Sequence, residues 1–307
     1  SAFAIFNERH LKDIAEGIIR FVREELSDPE GGFYASMDAD VSPDDEGGYF
    51  TWTDYDFRRI LNDEEYRILS MHLIHERGSM HHDRSKRTLF VSMEADDISR
   101  ETGMDSGKVI GIIEAGKKKL LAERRKRRKP FIDKTLYTSI NGLMISAYLL
   151  AFRIFQNEHL RDFGLLSLKR IMKERLIENE LFHSEGIEAM LDDYIFITGA
   201  LAFAYEATGN ESFLSQADIL MERALEKFWD KDGGGFFDTS REVIGLRFKA
   251  IEDIPHPSAN SSAIMLLIKL RHMTGKDKYG LIAEEALKAF SVKAEEIGLP
   301  AGYFLAS

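Results

Sequence analysis

The chain has 307 residues, 44% of them hydrophobic, with 41 Lys and Arg against 52 Asp and Glu, a formal net charge of −11 and no cysteine. That length and hydrophobic share supply core enough for one large helical domain or two smaller ones. The lack of cysteine excludes disulfides, thiol catalysis and thiolate-held zinc, and the acidic balance argues against nucleic acid as the main partner.

Ala2 to Phe6 are apolar but run straight into Asn7-Glu8-Arg9-His10, unlike a signal peptide. No apolar run reads as long and uncharged enough to span a bilayer, so a cytoplasmic location with no membrane is expected. Ser1 in place of a methionine, and an end at Leu305-Ala306-Ser307 where a new apolar helix is expected to start, suggest a fragment of a longer protein. Glu8 to Ser27 predicts an amphipathic helix with Leu11, Ile14, Ile18, Val22 and Leu26 on one face. Thr51 to Lys129 interrupts the pattern with short helices, a turn-rich stretch at Gly78 to Lys86, a strand-like Thr88 to Ser92 and a basic helix from Asp105 to Lys129. Leu136 to Phe155 is apolar nearly all round, His159 to Glu178 amphipathic, Tyr194 to Ala207 apolar all round, and Glu211 to Trp229 amphipathic. Ser258 to Met273 is mostly apolar and Lys278 to Phe290 amphipathic.

A helix apolar on all sides must be covered on all sides, and an amphipathic one can cover it. The strict alternation of outer and inner helices predicts a two-layer helical toroid or solenoid. A glycine–aromatic signature punctuates it: Gly31-Gly32-Phe33-Tyr34, Gly234-Gly235-Phe236-Phe237, and weakly Ala301-Gly302-Tyr303-Phe304. The glycines let the chain leave a helix with positive φ, and the aromatics start a short extended segment.

In such an array the inner helices all start at one end, where their dipoles present positive ends to a ligand. The polar residues expected there are Asp38, Asp40, Trp52, Asp133 and Lys134, then His183, Glu185, Asp192 and Asp193, then Asp238, Arg247, Asp253, His256, Ser258 and Asn260. Acids from separate loops around one cavity suit general acid/base chemistry, as in glycoside hydrolysis or sugar epimerisation. The expected catalytic residues are Asp192, Asp193 and His256. The expected substrate contacts are Asp38, Asp40, Trp52, Lys134, Asn141, Tyr194, Arg247 and Asn260, with aromatics stacking on sugar faces. Plainer readings stand beside these: Asp192 and Asp193 as helix cap and first-turn acid, Ser258 as a cap, Asp38 and Asp40 as a solvated turn, Asp133 with Lys134 as an ion pair, His256 as a loop residue. His72, His75, His81 and His82 cluster without a metal-ligand pattern, and Lys117 to Lys119 with Arg124 to Lys129 read as a solvated or partner-docking helix. No phosphate-binding glycine loop, dinucleotide fingerprint or serine elbow is present, so neither cofactor nor metal is expected.

Five ordered motifs carry a resemblance that covers essentially the whole chain. They are Gly31 to Asp40 followed by Gly48 to Thr53, Thr138-Ser139-Ile140-Asn141-Gly142-Leu143-Met144, Leu191-Asp192-Asp193-Tyr194, Gly233 to Thr239, and Pro257-Ser258-Ala259-Asn260-Ser261. In this order they resemble the thioredoxin-fused family that includes YyaL-like proteins and a spermatogenesis-associated thioredoxin-like protein. The resemblance implies an all-α fold, an (α/α)6-type six-hairpin toroid incomplete in this chain, with short β-hairpins in its loops. It implies one toroid domain over residues 1–307, with 51–130 inserted between an outer and an inner helix, and an N-terminal thioredoxin-like domain outside the chain. Ile140 stands where the family has tryptophan, Ile132 where it has the first acid of an Asp-Asp-Lys triplet, and Ala259 where it has glycine. The toroid is similar to N-acylglucosamine 2-epimerases and six-hairpin glycosidases, which implies a carbohydrate-active or carbohydrate-binding function with a sugar ligand. The alternatives are a non-catalytic scaffold working with a thioredoxin-like module, and a hydrolase of acidic glycans holding a carboxylate with Arg247 and Lys134.

Overall fold

Apolar periodicity separates two kinds of helix, and the computed structural model, which describes residues 2–242 and 245–306, packs them in two layers. The chain forms two compact units, one of residues up to 36 with those from 133 onward, the other of residues 37–132. The first unit begins with α1 (Ala2–Phe6) and α2 (Arg9–Glu25). The second holds α3 (Asp54–Ile60), α4 (Asp63–Leu73), α5 (Ala95–Thr102) and α6 (Ser106–Arg124). The chain returns to the first unit as α7 (Thr138–Phe155), α8 (Glu158–Arg175), α9 (Leu191–Thr208), α10 (Glu211–Phe228), α11 (Ala259–Thr274), α12 (Asp277–Ile297) and α13 (Gly302–Leu305).

In the first unit α7, α9 and α11 are the inner layer, with α9 packed against both of the others. Each is backed by the helix that follows it, α8 on α7, α10 on α9 and α12 on α11. The fold class is therefore all-α, with inner and outer helices alternating in three hairpins among the described residues. Helix α9 is buried on nearly every side, as its all-round apolar sequence requires. Helix α7 departs from expectation, because by length and composition it is apolar enough to cross a membrane. Part of that apolar surface packs on α8 and α9, with 44% of the helix buried. Helix α2 departs in part: Ile14 and Ile18, expected to be buried, are 57% and 59% exposed, while Val22 of the expected face reaches the core together with Ile19, which was not on it.

The two strong glycine signatures form the same turn. Gly31, Gly32, Gly234 and Gly235 have φ of 96°, 101°, 67° and 74°, the left-handed region that favours glycine. Each turn lies beneath an asparagine of the next inner helix. Asn141 accepts from the Phe33 N–H at 2.8 Å and donates to the Phe33 carbonyl at 3.1 Å. Asn260 does the same to Phe236, at 2.8 and 2.9 Å. Between α8 and α9 the turn is instead made by Glu178 and Asn179, both with positive φ, between the short antiparallel strands Leu176–Ile177 and Glu180–Ser184. The third sequence match is not a turn of this type, since Gly302 has φ −60° and begins α13.

The second unit is built by α6 lying against α3, α4 and α5. Its core includes Trp52, Phe57, Leu69 and Leu120 on one side and Ile68, Ile98, Val109 and Ile113 on the other. Two capping boxes, Thr53 with Asp56 and Asn62 with Glu65, start α3 and α4. The expected strand at Thr88 to Ser92 lies outside any strand, and the basic helix ends at Arg124 rather than Lys129. Beyond it Arg127 turns inward, donating to the carbonyls of Gly48, Tyr49 and Thr51 with its guanidinium 4.1 Å from the Trp52 ring. The basic run is thus partly structural rather than a solvated face.

Where α7 crosses α9, Gly142 leaves no room for a side chain. A Cβ there would lie 2.5 Å from the Phe196 carbonyl carbon and 2.6 Å from the Ile197 nitrogen, both backbone atoms. Gly142→Ala should therefore cost about 1–3 kcal/mol by overpacking. Asn141→Ala, which strands a buried N–H and carbonyl at Phe33, should cost a similar ~1–3 kcal/mol. Urea unfolding of both variants checks this, and wild-type midpoints would contradict it.

Candidate functional site

The loops ahead of the inner helices gather at one end of the first unit. Asp193, in the first turn of α9, is fully buried there. Its carboxylate accepts from the Met190 N–H at 2.9 Å, closing the start of its own helix. It also accepts from the Ser139 N–H at 2.9 Å, in the first turn of neighbouring α7. One anion thus meets the positive ends of two adjacent inner helices. It also binds His183 Nδ1 at 2.9 and 3.0 Å. His183 comes from the strand Glu180–Ser184, which Thr138 ties to α7 by donating its hydroxyl to the Phe182 carbonyl at 2.6 Å. Its ring stacks on Tyr137 at 4.8 Å, and its side chain is 17% exposed. With Nδ1 held by Asp193, Nε2 is the nitrogen left for chemistry. The Asp193 hydrogen bond is the chief reason the His183 pKa is raised.

Asp192 has a different environment. It accepts from the Asp193 N–H at 2.9 Å and lines a pocket of about 220 Å³ with Asp238, Glu252 and His256, walled by Leu191 and Ile254. Burial and then the Asp193 charge raise its pKa, against the pull of His183 and His256. Burial also raises Asp238, whose two oxygens accept from the Ala250 N–H at 3.2 Å. Glu252 goes the other way: burial opposes ionisation, but backbone N–H groups and Lys293 outweigh it. His256 Nδ1 lies 3.0 Å from the Pro257 carbonyl, which can only accept, so Nδ1 carries the proton and Nε2 is free. Its ring meets Phe196 edge-on at 5.4 Å. The pocket therefore holds two carboxyls pushed toward their neutral form beside one held ionised, the arrangement acid/base chemistry needs.

Of the residues expected in the site, Asp192 and His256 come together, and Asp193 lies behind them as a positioning residue with no surface for a ligand. Asn141 and Asn260 are corrected by their burial, since their amides are engaged with the turns at Phe33 and Phe236. Tyr194 is likewise a core residue, packed edge-on against Phe228 with its hydroxyl 3.4 Å from the Leu181 N–H. Arg247 donates to the carbonyls of Thr239 and Lys227 and lies 4.0 Å from the Phe237 ring, which leaves it bracing a loop. Lys134 lies 5.7 Å from the Tyr34 ring, while Asp133 turns to the Thr135 N–H and hydroxyl rather than to Lys134. Asp38, Asp40 and Trp52 belong to the second unit. There Asp40 accepts from the Gly47 N–H at 2.7 Å, and Trp52 is buried beneath Arg127, so its faces cannot stack on a sugar. Glu252 was not anticipated, because nothing in the sequence separates it from Asp253. The latter accepts from the N–H groups of Ser258 and Tyr303 and orders the loop.

The two adjacent aspartates should respond oppositely to amidation. Asp193→Asn should cost about 1.5–3 kcal/mol, the worth of hydrogen bonds to a buried charge. It should also remove a pH dependence. His183 has its folded pKa above the ordinary 6.5, so its contribution is full below that value and lost as pH rises through the folded pKa. Asp192 has a raised folded pKa, so its charge opposes folding at neutral pH and Asp192→Asn should raise the melting temperature there. Melting curves of both variants between pH 4 and pH 9 check the pair of signs.

No protein-family model matches the chain. Human spermatogenesis-associated protein 20 is 27% identical over 336 residues, which cover 96% of this chain and 43% of the human protein. The chain thus spans less than half the length of that relative. Among solved structures, a cellobiose 2-epimerase from Bacillus thermoamylovorans gives a TM-score of 0.46 at 14% identity, covering 93% of this chain and 73% of the epimerase. An inactive α-1,6-mannanase variant from a Salegentibacter species, solved with an α-1,6-mannose oligosaccharide, gives 0.45 at 11% identity, covering 91% of this chain and 69% of the mannanase. Along nearly its whole length this chain is therefore similar in sequence to the spermatogenesis-associated protein 20 sequences.

Proposed function

We propose that the first unit binds a neutral carbohydrate in the pocket of Asp192, Asp238, Glu252 and His256 and moves protons on it. The observation that carries this reading is the gathering of three carboxyl groups and His256 in one small pocket, in unlike surroundings: burial pushes Asp192 and Asp238 up, while N–H groups and Lys293 pull Glu252 down. A protonated carboxyl donates to a sugar oxygen while an ionised one accepts a proton from the opposite side, the division of labour that glycoside hydrolysis and epimerisation share. In this reading Asp192 is the acid, with Glu252 and the free Nε2 of His256 as proton acceptors. Leu191 and Ile254 offer apolar walls to the C–H faces of a ring. An acidic glycan suits the pocket poorly, because three carboxyl groups line it, Arg247 is engaged elsewhere and Lys134 is not among the lining residues.

The test is a thermal-shift and turnover screen against neutral mono- and disaccharides. A sugar at ~100 times its dissociation constant should add about 2.7 kcal/mol of stability. The expected result is a sugar that stabilises the wild type and loses its effect in Asp192→Asn and in His256→Ala. If no neutral sugar stabilises the wild type, or if the shift survives both substitutions, this pocket is not a carbohydrate site.

A further inference from the structure

The second unit has 18 Lys and Arg against 19 Asp and Glu in residues 37–132, and many of its basic groups are paired. Arg58 meets Asp54, Arg59 meets Glu123, Lys86 meets Asp45, Lys108 meets Glu64 and Lys119 meets Glu65. Three arginines without an ion pair gather in one place. Arg77, Arg84 and Arg87 line one polar cavity of about 530 Å³ together with His81, and Glu76 is the sole acid in its wall. Among the described residues none of the three arginines lies within ion-pair distance of a carboxylate, and the Arg87 Nε is buried without a hydrogen-bond partner. Like charges gathered in a shared cavity repel, and a buried donor without a partner is costly, so both features favour an anion between them.

The backbone under these arginines is well tied. Arg87 exchanges both backbone hydrogen bonds with Trp52 at 2.9 Å, and the Met80 N–H donates to the Lys86 carbonyl at 2.9 Å, closing the loop that carries His81 and Arg84. At the tip, the Ser85 N–H and hydroxyl donate to Asp83 at 2.9 and 2.6 Å. Beside Arg77, Gly78 approaches Thr88 so closely that a Cβ would lie 2.5 Å from the Thr88 carbonyl oxygen. The loops are thus braced by their own backbone bonds, and the guanidinium groups are left over from that bracing. Guanidinium forks match the oxygens of a tetrahedral anion in pairs, and phosphate offers enough oxygens for three of them where a carboxylate offers two.

We propose that this cavity binds phosphate, either as the free ion or as the phosphate group of a small ester. The site is independent of the carbohydrate pocket, so either assignment can fail alone. The test is isothermal titration of the full chain with inorganic phosphate and with glycerol 3-phosphate, each at matched ionic strength. Saturable binding of at least one of them at millimolar concentration or below is expected. Arg77→Ala and Arg84→Ala should each weaken it at least about tenfold, as loss of a charge-assisted fork predicts, with an unchanged melting temperature. Tighter binding of the ester would assign an esterified ligand, and equal binding the free ion. No saturable heat from either probe, or unchanged affinity in the double variant, would overturn the proposal.

Discussion

Much of the first unit's polar end is organised around one buried carboxylate. Asp193 sits where the starts of α7 and α9 come together, and both helices need acceptors for N–H groups that have no partner within the helix. A charged acceptor meets that need more strongly than a neutral one, and both helix dipoles favour it. The same carboxylate fixes His183 through Nδ1. It also places a negative charge beside Asp192, which helps push that side chain toward its neutral form. Packing of the inner layer and the electrostatics of the pocket therefore share one residue.

The asparagine clamps give the repeat its second fixed point. A turn with two positive-φ glycines exposes the backbone of the residue after it, and at Phe33 and Phe236 that backbone is buried. A side-chain amide carries its acceptor oxygen and donor nitrogen side by side, so it can accept from the N–H and donate to the carbonyl of a single residue. This explains why Asn141 and Asn260 stand in motifs that read as functional when only their residue types are known. Gly142, next in the same motif, is explained by the close approach of α7 to α9. Two of the most recognisable residues in the Thr138 to Met144 motif thus serve backbone contacts.

The pocket inherits its character from these supports. Asp192 projects from the helix that Asp193 anchors, and Asp238 is tied to that helix by its own carbonyl, which accepts from the Leu191 N–H at 3.0 Å. His256 lies on the loop that Asp253 and Ser258 hold ahead of α11. The start of α9 and the long connection between α10 and α11 are brought together here, and their carboxyls then differ because each meets a different mixture of burial, N–H groups and neighbouring charge.

Periodicity by itself determined the alternation of inner and outer helices, since an apolar stripe or an apolar circumference is a local statement about what must be covered. The glycine pairs determined two of the turns, because positive φ is a property of the residue. The sequence likewise marked Asp192, Asp193 and His256 as unusual. It could not separate ligand-facing side chains from buried ones: Asp193, Asn141, Tyr194 and Trp52 are polar or aromatic residues in loop-proximal positions, like true site residues, and only packing decides which atoms remain free. Nor could it find Glu252 or the arginines at 77, 84 and 87. Their significance lies in which charges they meet across space, and that depends on tertiary contacts rather than on spacing along the chain.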